Sequence, residues 1–122
     1  MNMAWVDPAL EVLCCQPARL RAAVGSQAAA AQDLLVLLAH VPRLHHLLTF
    51  KSVQTNVGPA GLTFSLEHVE LHAQPLNIDW VQGDEVTATQ RRRYLQTHAP
   101  VIQDLLIQDL HIRGRSILRH AS

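Results

Sequence analysis

His68-Val-Glu70-Leu-His72 is the segment whose residue types and spacing come nearest to a chemical site. Imidazole nitrogens and carboxylate oxygens are common ligands of Zn²⁺ and related first-row ions. On a strand, positions 68, 70 and 72 share one face. On a helix, the two histidines stand four residues apart on one face. Either conformation therefore lets His68, Glu70 and His72 converge on a metal. The plainer expectation is a solvated face opposite an apolar one of Val69, Leu71 and Ala73. The segment has none of the spacings that define HExxH, paired CxxC or EF-hand sites. The eight histidines in the chain are its most unusual compositional feature. His45 and His46, between Leu44 and Leu47, are expected to cover a helix end. His111 and His120 flank an arginine-rich tail.

Other chemistries find less support. Cys14 or Cys15 with a histidine is the one cysteine arrangement that could serve nucleophilic catalysis, yet both fall on an apolar helix and read as core residues. No Gly-x-Ser-x-Gly elbow is present, and the glycines of Val57-Gly-Pro-Ala-Gly61 precede a strand rather than a phosphate-binding helix. Arg91, Arg92 and Arg93, with Arg113, Arg115 and Arg119, form a possible basic patch for phosphate or an acidic protein. Three consecutive helical residues fan around the axis at about 100° each, so they cannot all face one ligand. The broadest signal is apolar. Tyr94, Ile102, Leu105, Leu106, Ile107 and Leu110 recur at near-heptad spacing and predict a helical seam wider than one sheet face needs.

The elements that must position these residues follow from local punctuation. Asp7-Pro8 caps a helix ending near Cys15, and Pro17 opens a second that stops at Gly25. From Ser26, alanines and leucines build the strongest predicted helix, ended or kinked at Pro42. Arg43–Leu48 adds one further turn. Residues 49–57 alternate as a strand, and 62–73 are expected as one bulged strand with the bulge at Glu67-His68, two short strands or a helix being the alternatives. Pro75 starts an extended segment with Leu76, Ile78 and Trp80 on one face. Asp84 is then expected to cap the seam helix, with Pro100 kinking it and residues 110–118 forming a last strand or a frayed end.

The predicted fold is therefore α+β. N-terminal helices (residues 1–48) pack on a small, mainly antiparallel sheet closed by a long C-terminal helix (49–122), all in one domain of 122 residues. Ten basic and ten acidic side chains cancel, which removes the simplest electrostatic case for nucleic acid or an anionic membrane. Two adjacent cysteines make no disulfide framework, so a reducing, cytoplasmic location is expected. Arg19, Arg21 and Asp33 interrupt the apolar stretches, so no signal or membrane span is expected.

The order of two strands followed by Arg92-x-x-Leu95-x4-Pro100-x-Ile102-x3-Leu106 and Leu110-x-Ile112 resembles the C-terminal domain of flagellar hook-length control proteins and their type III secretion counterparts. The resemblance covers only the last half of the chain. Thr63 stands where that family's Leu-x-Pro-x-x-Leu-Gly strand start has its final glycine, and the fold class is accordingly read from the residues alone. Functionally, the composition and the absence of a catalytic motif favour a small protein-interaction or assembly module over an enzyme. It would self-associate or bind a protein partner through Tyr94, Ile102, Leu106, Leu110 and Arg91–Arg93, without a cofactor. The alternatives are a metal-binding protein or enzyme using His68, Glu70 and His72, and a nucleic-acid accessory protein using the C-terminal arginines.

Overall fold

The structure, a computed structural model, describes residues 1–58, 61–76 and 86–117. Strand β1 (Asn2–Trp5) leads into α1 (Pro8–Cys15), α2 (Pro17–Val24), α3 (Ala28–His40) and α4 (Leu44–Leu47). Local signals decide these helix ends. The Asp7 carboxylate accepts from the Ala9 amide at 2.8 Å with Pro8 in the first turn. Gly25 ends α2 at φ 61°, where a side chain would be strained. Val41 is extended ahead of Pro42 and ends α3. By length and mean hydropathy (1.4), Pro17–His40 could cross a membrane. In this fold a 3₁₀ turn at Gly25–Gln27 splits it, and Leu34, Leu35 and Leu38 of α3 are buried in the core.

The second half holds β2 (Gln54–Gly58), β3 (Gly61–Leu66), β4 (Val69–Pro75), α5 (Ala88–His98), β5 (Asp104–Ile112) and β6 (Arg115–Ser116). Together with β1 the strands form one mixed sheet in the order β1-β5-β4-β3-β2, with β6 on β5. The β1–β5 pair is parallel and the others are antiparallel. Val69, Leu71 and Ala73 of β4, Phe64 of β3 and Leu105, Ile107 and Leu110 of β5 are completely buried on one face, in a single cluster with Leu10, Leu20, Leu34, Leu38 and Leu44 of the N-terminal helices. Burying each such leucine contributes about 1.5–3 kcal/mol, which fixes helices and sheet to each other.

Four expectations need correcting. The long C-terminal helix is replaced by the short α5, a 3₁₀ turn at Ala99–Val101 and the nine-residue strand β5. The bulged strand over 62–73 is a hairpin, because Glu67 takes φ 55° and turns the chain between β3 and β4. The strand expected from residue 49 begins at Gln54; the Thr49 hydroxyl instead donates to the His46 carbonyl at 2.7 Å and finishes α4. Pro75 ends β4 rather than starting a new segment. The expected strand positions Ile78 and Trp80, and the Asp84 cap, lie outside the described residues. The observed cap of α5 is Thr87, whose hydroxyl accepts from the Gln90 amide while the Gln90 side chain accepts from Thr87. The N-terminal strand β1 was not foreseen.

Candidate metal centre on the polar face of the sheet

The sheet has a second face, and a register shift makes it chemical. Along β5, Leu105 and Ile107 point into the core, so strict alternation would send Asp109 and His111 there as well. Instead His72 pairs with Asp109 while the next residue of β4, Ala73, pairs with Ile107, leaving Gln108 as an extra residue on β5. This β-bulge moves Leu110 into the core and turns Asp109 and His111 to the face that carries Glu70 and His72. Bulges recur beside functional sites for this reason.

The result is a compact, half-buried group from two adjacent strands. Potential ligand atoms of Glu70, His72 and His111 all lie within 4.8 Å of one another. The His72 and His111 rings are 4.3 Å apart between centroids. His72 Nε2 is buried without a hydrogen-bond partner among the described residues, 3.7 Å from Glu70 Oε2. That distance is too long for a hydrogen bond. It is close to the separation of about 3.4 Å expected between two ligands held tetrahedrally at about 2.1 Å from one Zn²⁺.

Asp109 is held from both sides. One carboxylate oxygen accepts from the Leu110 amide at 2.8 Å, and the other lies 3.1 Å from His111 Nε2. A carboxylate anchored this way fixes the orientation and tautomer of an imidazole, as the outer partners of metal-ligating histidines do. The pKa of His72 is lowered, first by burial and then by the facing His111, against the opposing pull of Glu70 and Asp109. Its neutral, ligand-competent form is thereby favoured near neutral pH.

His68 does not join the group. It is exposed in the β3–β4 turn, because β4 begins only at Val69; its carbonyl accepts from the Arg113 amide at 2.8 Å. The structure therefore brings together Glu70 and His72 of the expected set and exchanges His68 for His111, with Asp109 in support. The available signal is Asp109-x-His111, the same one-residue spacing as Glu70-x-His72, but it straddles the expected end of the seam helix and the start of the segment read as a last strand or a frayed end.

The residues of the expected apolar seam do not share a surface. Ile102 and Leu110 are buried, and Leu106 is half-buried on the polar face of β5. Tyr94 stacks on His98 along α5 at 4.0 Å between centroids. Arg91 is buried at 7% exposure whereas Arg92 and Arg93 are exposed, so the three arginines offer no common patch. Burial pushes the Cys14 thiol up to about 12, with Cys15 and Asp109 adding to the shift, which leaves it a poor nucleophile. No protein-family model, curated protein or solved structure matches this chain.

Proposed function

We propose that the protein binds a divalent first-row transition ion through Glu70, His72 and His111, with Asp109 orienting His111. The convergence of three ligand-bearing side chains on one half-buried patch carries this reading. Two imidazoles and one carboxylate suit Zn²⁺ and its neighbours better than Ca²⁺ or Mg²⁺, which prefer oxygen alone. Three protein ligands would leave a coordination position for water or another molecule, the arrangement of a reactive rather than a purely structural ion. Such an ion would supply Lewis acidity; Glu70, His72 and His111 would hold it, and Asp109 would keep His111 from rotating. The free cysteines Cys14 and Cys15 support a reducing, cytoplasmic location as part of the same reading.

The test is native mass spectrometry and thermal unfolding of the purified protein at pH 7.5, with Zn²⁺ and after chelation. One bound ion per chain and a raised Tm are expected. Both should disappear in the combined His72→Ala and His111→Ala variant and persist in His68→Ala. Equal zinc binding by the double variant, or no response to zinc at all, would overturn the proposal. The same spectra report whether the protein forms a dimer, the form in which an interaction or self-assembly role would be visible.

A further inference from the structure

At the far end of β5 the chain makes a two-residue turn of unusual composition. Arg113 and Gly114 join β5 to β6 with φ 53° and 82°, both in the left-handed region that the tightest hairpins require. Glycine suits that region, and asparagine or glycine would be the usual choice ahead of Gly114. Arginine there carries a conformational cost, and such costs concentrate where a side chain is needed for function. The Arg113 amide donates to the His68 carbonyl at 2.8 Å, which pins the turn against the β3–β4 turn.

Arg113 and Arg115 line a cavity of about 600 Å³ together with Ala23 and Val24 at the end of α2 and Ile112 and Ile117. That volume is within the range of small-molecule sites. Among the described residues, the salt bridges involve only His72 with Glu70 and His111 with Asp109, so neither guanidinium has a carboxylate to neutralise it. The walls are otherwise aliphatic, and Ile117 is 2% exposed. Two unneutralised cations at the rim of an apolar-walled cleft complement one kind of molecule, an anionic head on an apolar body.

We propose that this cavity binds a small amphipathic anion, its carboxylate or phosphate head between Arg113 and Arg115 and its apolar chain against the part-exposed Val24 and Ile112, over the buried floor at Ile117. The site does not depend on the metal centre, and its success or failure leaves that reading untouched. The probe is octanoate, with octan-1-ol as its uncharged counterpart, followed by amide chemical shifts of the full chain. Saturable shifts at Val24, Arg113, Gly114 and Ile117 are expected with octanoate, and much weaker ones with octanol. Arg113→Gly relieves the φ 53° conformation, so it should fold at least as well as the parent chain. Combined with Arg115→Gln it should still lose octanoate affinity by about tenfold or more, the scale of one charge-assisted contact. Unchanged affinity in that variant, equal binding of octanol, or binding to vesicles containing phosphatidylserine with none to free octanoate would each overturn the proposal.

Discussion

The two faces of β4 and β5 are built from alternate residues of the same strands, yet they obey different rules. On the helix-covered face, Val69, Leu71, Ala73, Leu105, Ile107 and Leu110 are fully buried and aliphatic. There, only shape and volume matter, and any residue of similar size and apolarity would serve. On the other face, Glu70, His72, Asp109 and His111 are half-buried, and His72 Nε2 has no hydrogen-bond partner among the described residues. A polar atom buried without a partner costs stability. The comparison teaches that the first face holds the fold together, while the second carries a local cost, which an ion bound as proposed would offset.

The sharpest way to break this contrast is to truncate neighbours that point in opposite directions. Phe64→Ala removes a completely buried ring from the core and should cost about 3–5 kcal/mol in urea unfolding. Ser65→Ala, one residue along β3 and paired with Glu70 on the polar face, should stay within about 0.5 kcal/mol. Comparable losses in the two variants would show that both faces are structural.

Next in size is the effect of metal. Zn²⁺ at a hundred times its Kd should add about 2.7 kcal/mol to the unfolding free energy. For a chain of this length that corresponds to a rise in Tm of about 10 °C. His72→Ala should abolish the rise while leaving the chelated protein folded. Thr87→Ala removes a helix cap that includes none of Glu70, His72 and His111 and should cost about 1 kcal/mol with or without zinc, which calibrates a purely structural loss. A zinc effect that Thr87→Ala removed as well would mean that the ion acts on the whole fold.

The smallest effect is pH dependence of the chelated protein. Burial and His111 hold the His72 pKa below 6.5 in the folded chain, whereas the unfolded chain takes up its proton near 6.5. Between those two values the unfolded state binds more protons, so stability should fall as pH drops below about 6.5 and level off beneath the lowered pKa. His72→Asn should flatten this segment of the profile, as read by urea midpoints at successive pH values. An unaltered slope in that variant would assign the titration to another histidine.

How far the sequence could be read differs between the two halves of the chain for a physical reason. Helix hydrogen bonds and caps join residues at most a few positions apart, so Asp7-Pro8, Pro17, Gly25 and Pro42 delimited α1 to α3 without reference to anything distant. Strand β5 is the opposite case. Its core-facing residues Leu105 and Ile107, then Leu110 and the part-buried Ile112, alternate with one break at the bulge, and the three-residue step from 107 to 110 mimics helical spacing. Strand β1 has only four residues, and its partner lies about a hundred positions away at Asp104–Ile107. Nothing local marks it.

The sequence by itself determined the α+β class, the N-terminal helices, the aliphatic core and the pairing of Glu70 with His72 on one face. Only the tertiary structure decided that His111 and Asp109, rather than His68, stand beside them. That choice depends on where the β3–β4 turn falls and on one extra residue in β5. Strand register is set by contacts between distant segments, and a slip of a single residue turns every side chain to the opposite face.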